Sequence, residues 1–62
     1  MLFIFVYGAW GSELYSTAAT LKEAKAKAQS ASLKEPKNEY CVELDPGGFD
    51  NPLYKGGRQV NG

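Results

Sequence analysis

The sequence predicts an α+β domain in the order β-β-α-β, with a final strand or tail over 53–60. One helix packs on one face of a three- to four-stranded, mainly antiparallel sheet. Three observations carry this expectation. The run LFIFVYGA, Leu2 to Ala9, is almost wholly aliphatic and aromatic, which favours an extended strand over a helix. Thr20 followed three residues later by Glu23 forms a capping box at the head of TLKEAKAKAQSAS, a stretch of good helix formers. YCVELD alternates with period two, as a strand with one wet face does.

Taken in order, the first strand is expected over 2–9. In it Leu2, Ile4 and Val6 face one side of the sheet and Phe3, Phe5 and Tyr7 the other, so both faces favour leaving water. Gly11 and Ser12 then supply a turn. Leu14, Tyr15 and Thr17, within 13–19, read as a second strand returning beside the first. The helix is expected over 21–31. Leu21, Ala24, Ala28 and Ala31 share one face at i, i+3, i+7 and i+10, while Lys22, Lys25, Lys27 and Gln29 lie toward solvent and Glu23 and Lys27 form an i, i+4 pair. Its apolar stripe is thin and mostly methyl groups, so the helix depends on the sheet for stability.

Pro36 disfavours helix at Glu35, and the polar connector LKEPKNE follows. A third strand is expected over 40–45, with Tyr40, Val42 and Leu44 on one side and Cys41, Glu43 and Asp45 on the other. PGGFDNP is dense in turn formers. LYKGGRQV reads as a last strand or as a hairpin turned at Gly56-Gly57, with fraying final residues.

Composition narrows the function classes. Sixty-two residues make one small domain whose apolar burial barely offsets its conformational entropy, so self-association or a partner would help it. Seven basic and seven acidic side chains cancel, which argues against general attraction to nucleic acid or an anionic membrane. Cys41 is the single cysteine, so no intramolecular disulfide and no cysteine pair for structural zinc can form, and a reducing, cytoplasmic setting is expected. The opening MLFIFVYGAW lacks the basic start of a secretion signal, and Gly8, Gly11 and Glu13 interrupt its apolar run. That run reaches half the roughly 20 residues a membrane helix needs.

One helix covers one face of such a sheet. Either the C-terminal segment folds back over the second face, with Phe49, Leu53 and Tyr54 packed there, or another molecule covers it. An exposed apolar patch usually marks a protein interface, and a symmetric homodimer is its commonest use. The interface candidates are Phe3, Phe5, Tyr7, Trp10, Phe49 and Tyr54.

Other motifs point elsewhere. FDNPLY, Phe49 to Tyr54, resembles the aromatic-x-Asn-Pro-x-Tyr signal that phosphotyrosine-binding domains and clathrin adaptors read. The resemblance covers six residues, and Asn51-Pro52 at the head of a type I turn accounts for them locally. The glycine pairs of DPGGF and YKGGR make Gly47, Gly48, Lys55, Gly56, Gly57 and Arg58 candidates for holding an anion, although no glycine-rich loop here joins a strand directly to a helix. Phe3, Phe5 and Tyr7 resemble the stacking platforms that hold single-stranded nucleic acid. Five of the seven basic residues, however, cluster between Lys22 and Lys37, on the helix and its connector.

Without histidine no Ser-His or Cys-His nucleophile can form, and Glu43 and Asp45 oppose a thiolate at Cys41. The acidic residues Glu43, Asp45 and Asp50 lack the spacing of a calcium loop. No enzyme activity, catalytic residue, metal or cofactor is therefore assigned. The expectation is a module that binds another protein through the aromatic side of the first strand or an unpaired sheet edge and is a candidate for self-association through its sheet, with a binder of anionic ligands or single strands as the alternative. In size and organisation, not in residues, the chain resembles the accessory proteins that phages use to bind and inhibit host factors.

Overall fold

The computed structural model describes residues 1–9, 11–43 and 51–61. Among them the order is β1 (Leu2–Gly8), β2 (Gly11–Ala18), α1 (Leu21–Lys34), β3 (Glu39–Glu43), β4 (Leu53–Lys55) and β5 (Arg58–Gln59). The strands form one five-stranded sheet in the order β2-β1-β3-β4-β5, and every neighbouring pair is antiparallel. The expected α+β class holds, with five strands rather than three or four. The extra strands come from LYKGGRQV, which forms both β4 and β5. Gly56 and Gly57, at φ 64° and 85°, make the two-residue turn between them, as a tight hairpin with both central residues left-handed requires.

The most apolar strand, β1, lies inside the sheet between β2 and β3, where both of its faces can be shielded. Helix α1 covers the face of Leu2, Ile4 and Val6. Ile4, Val42, Tyr40, Tyr54 and Ala18 are buried against Ala24, Ala28 and Ala31. Because those helix residues carry only methyl groups, the helix axis can lie close over the sheet, and the core is thin.

Thr20 caps the helix by accepting the Glu23 N–H on Oγ1 at 3.2 Å. The Glu23 carboxylate meets Lys27 Nζ at 3.5 Å. Lys27 also donates to the Thr17 carbonyl at 2.7 Å, so this residue, expected in solvent, instead ties the helix to β2. The helix runs one turn beyond the expected end, to Lys34, and stops at Glu35, whose N–H still reaches the Ala31 carbonyl before Pro36. Leu21, expected on the buried face, is exposed, and at the other end of the helix Ser32 joins that face.

Three expectations about the C-terminal segment are corrected. Asn51-Pro52 heads no turn; it leads straight into β4, and the Pro52 carbonyl accepts the Val42 N–H at 2.8 Å as a continuation of the β3–β4 ladder. Residues 51–61 do not fold across the second sheet face but extend the sheet sideways, with Tyr54 on the helix side opposite Tyr40. Nor does Asn61 fray: its side chain accepts the Leu53 N–H and donates to the Asn51 carbonyl, both at 2.8 Å. Leu44 and Asp45, expected in the third strand, and Trp10, Gly47, Gly48 and Phe49, all candidate site residues, lie outside the described residues.

Candidate functional site

Residues directly opposite each other on antiparallel strands share a face, so the register assigns the face turned away from the helix. Phe5 pairs with Leu14 on one side and Cys41 on the other, and Cys41 pairs with Leu53. Val60 donates its N–H to the Leu53 carbonyl at 2.8 Å, continuing the β4–β5 pairing by one step. Leu14, Phe5, Cys41, Leu53 and Val60 thus form one apolar row across all five strand positions of the sheet. Leu14 and Val60, at its ends, are 52% and 50% exposed.

A β-bulge puts Leu14 into this row. The β1–β2 register shifts between Ile4, opposite Ser16, and Phe5, opposite Leu14, leaving Tyr15 as the extra residue. The inserted residue reverses the alternation, so Leu14 lands on the open face while Ala18 stays on the helix side. The Tyr15 ring sets its edge against Tyr40, with centroids 5.1 Å apart and planes at 76°.

Two further rows flank the apolar one. On one side Thr17, Phe3 and Glu43 are aligned; on the other, Ser12, Tyr7 and Glu39. The β3–β4 register, carried one step toward the hairpin, sets Lys55 level with Glu39, and Lys55 pairs with Arg58. Phe3 and Tyr7 are each 41% exposed. The face therefore has an apolar centre, aromatic shoulders on β1, carboxylates on β3 and cations on β4 and β5.

The electrostatics of the face oppose chemistry at Cys41. Burial raises its thiol pKa above the ordinary value, and Glu43 adds to the rise, so the protonated form is favoured. Tyr7 is also raised, by burial first and then by Cys41 and Glu43. Among the described residues, no three His, Cys, Asp or Glu side chains gather as a metal ion would need.

Of the sequence-predicted residues, Phe3, Phe5 and Tyr7 come together here; the Phe3 and Phe5 rings are 6.5 Å apart and tilted by 36°. As a nucleic-acid platform the group is poorly placed, because Glu43 and Glu39 sit directly beside Phe3 and Tyr7 and would repel phosphate. Tyr54 does not join them. It is 7% exposed on the helix side, so the folded chain cannot present it as an adaptor signal.

The YKGGR turn is likewise engaged: Gly57 donates its N–H to Ser32 Oγ at 2.9 Å and accepts the Gln29 side-chain amide at 3.0 Å. That amide is not available to an anion. A cleft of about 400 Å³ lies at the end of the β1–β2 hairpin, beside Val6, Gly8, Glu13, Lys37 and Asn38. Its charged groups are exposed, unlike the sheltered polar groups that orient a ligand.

Sequence reasoning missed Leu14, Leu53 and Val60 as members of the open face, and placed Cys41 on a wet one. For Leu53 and Val60 the alternation was present, but the strand pairing that aligns them with Phe5 was not legible. For Leu14 the bulge inverts the alternation, and no residue pattern announces it. No protein-family model matches the chain, and neither the curated proteins nor the solved structures contain a match to it.

Proposed function

We propose that this protein is a non-enzymatic protein-protein interaction module that associates through the open face of its sheet. The apolar row Leu14, Phe5, Cys41, Leu53 and Val60 carries the reading, because water-exposed apolar surface that crosses a whole sheet gains free energy when another protein covers it. The aromatic shoulders Phe3 and Tyr7 supply large contact area, and the charges on β3 and β4 supply orientation. An accessory or inhibitor role, which the size of the chain suggests, needs such a surface and little else. Its unpaired thiol suits a reducing compartment. The absence of histidine from the sequence and the protonated state favoured at Cys41 support a binding rather than a catalytic role.

Cys41 reports on coverage of this face. Its alkylation rate should be lower in an extract of the cells that make the protein than in a dilute solution of the pure chain. Phe5→Asp, or the milder Val60→Asp at the edge of the row, should return the rate to the dilute value while the circular dichroism stays native. Equal rates in extract and in a dilute solution where the pure chain is monomeric would overturn the reading.

A further inference from the structure

We infer that the molecule covering the open face is a second copy of this chain, packed face to face so that β3 of one copy lies over β4 of the other. The inference rests on the association surface proposed above and names its occupant. It follows from the order of residues within one row. Passing from β1 to β5 along the polar row, the face presents Tyr7, Glu39, Lys55 and Arg58 in that order.

A two-fold axis lying along the strands, midway between β3 and β4, reverses that order over itself. Glu39 then meets Lys55 of the second copy, and Tyr7 meets its Arg58, and symmetry makes each contact twice. The first is an ion pair; the second places a guanidinium over an aromatic ring. In the apolar row the same operation sets Cys41 over Leu53 and Phe5 over Val60 of the second copy.

Two alternative axes are worse. An axis along β3 would stack Glu39 on Glu39, and an axis along the apolar row would stack Glu39 on Glu43; both oppose like charges. Within the chain, neither Glu39, Lys55 nor Arg58 has an ion-pair partner within 4.0 Å among the described residues, so these charges are available to a second copy. The area also suffices. A standard interface takes about 800 Å² from each partner. That is a little under a fifth of the 4310 Å² accessible surface, the share that one broad face of a body measuring 25 × 21 × 20 Å provides.

A charge-swap experiment tests both the occupant and the register. Analytical ultracentrifugation of the wild-type chain should show a concentration-dependent dimer. Glu39→Lys alone and Lys55→Glu alone should each weaken it by at least about tenfold, because each sets like charges against each other twice. Mixed one to one, the two variants should recover dimer, since both cross-pairs are then opposite in sign. Glu39 and Lys55 are also neighbours within one chain, and only a contact between chains predicts recovery on mixing.

Should Glu39→Lys prove unfolded, the double variant Lys55→Glu/Arg58→Glu, on the exposed hairpin, should be monomeric and native by circular dichroism. A wild type that stays monomeric to about 1 mM, folded reversals that remain dimeric, or a mixture that does not recover would each overturn the inference. If the pure chain is monomeric while Cys41 is protected in extract, only the second copy as occupant is wrong. If the pure chain is monomeric and Cys41 is equally reactive in both, the association surface falls as well.

Discussion

Gly57 donates its backbone N–H to the hydroxyl of Ser32 at 2.9 Å, fastening the tip of the β4–β5 hairpin to the last turns of α1. Ser32 passes the bond on to the Gln29 carbonyl at 2.8 Å, and the Gln29 side chain returns to the Gly57 carbonyl at 3.0 Å. Three residues thus close a ring that holds the β4–β5 hairpin against the helix. This hairpin presents Lys55 and Arg58, so the ring also positions the cationic end of the open face.

The ring sets an order of cost for substitutions. Ser32→Ala leaves the partly buried Gly57 N–H without its acceptor and should lower stability by about 1–2 kcal/mol. Gly57→Ala should cost about 1–3 kcal/mol, because an L-residue is strained at φ 85° and its Cβ would run into the Leu33 side chain. Gly56→Ala should cost less, since a Cβ there meets nothing within 4 Å and only the left-handed backbone is penalised. Urea titrations of the three variants check the order; Leu33→Ala should relieve part of the Gly57→Ala loss and none of the Gly56→Ala loss.

The close approach of helix and sheet gives a second expectation. Ala24 and Ala28 are completely buried, and each contributes only a methyl group to the contact with β1 and β3. Enlarging Ala28 to Leu adds three carbons to a fully buried contact made of methyl groups and should cost about 1–3 kcal/mol through displacement of the helix. Ala26→Leu, at an exposed helix position, should be neutral within about 0.5 kcal/mol. Thermal melts of the two variants separate core crowding from helix propensity.

How far these features can be read without coordinates depends on whether a local pattern encodes them. The period of β1, the Thr20 cap and the Gly56-Gly57 turn are local, and each appears where its residues imply. The side of β1 that meets the helix is not local, since both of its faces are apolar; it follows from Tyr40, Val42 and Tyr54 joining Ile4 on one side. The turn expected at Asn51-Pro52 gives way because the Pro52 carbonyl finds a better partner in the β3 ladder. The interaction face was half visible: Phe3, Phe5 and Tyr7 follow from alternation, whereas Leu14 depends on a bulge and Leu53 and Val60 on pairing between segments far apart in sequence.

Tyr54 ties the C-terminal hairpin into this core. It is 7% exposed and pairs with Tyr40, which in turn carries the Tyr15 ring on its other side. Tyr54→Ala should remove about 3 kcal/mol or more. A chain of this length is expected to have roughly 3–9 kcal/mol in all, so the loss takes a third or more of the total and the urea midpoint should fall in proportion. Tyr54→Phe should lose far less. Because folding hides the ring, a phosphotyrosine-binding domain should not capture the native chain, whereas a synthetic peptide of residues 49–54 remains free to bind; a pull-down with both baits checks this.

Alkaline pH should loosen the fold through the open face. The thiol of Cys41 and the phenol of Tyr7 both titrate above their ordinary values of 9.0 and 10.0, the first through burial and Glu43, the second through burial, Cys41 and Glu43. A folded state with raised pKa values holds protons that the unfolded chain has already released. Stability is therefore fully present below about pH 9 and declines as pH rises through the ordinary and then the folded pKa of each group. Urea midpoints measured from about pH 7.5 to 10.5 should fall across the upper part of that range. Cys41→Ser should flatten the earlier part of the decline, and Glu43→Gln should reduce it only partly, since burial is the larger cause. The same Glu43→Gln change should speed alkylation of Cys41 at about pH 8, because removing the neighbouring carboxylate raises the thiolate fraction. A midpoint that stays level up to pH 10.5, or a Glu43→Gln thiol that reacts no faster than wild type, would contradict this account of the face.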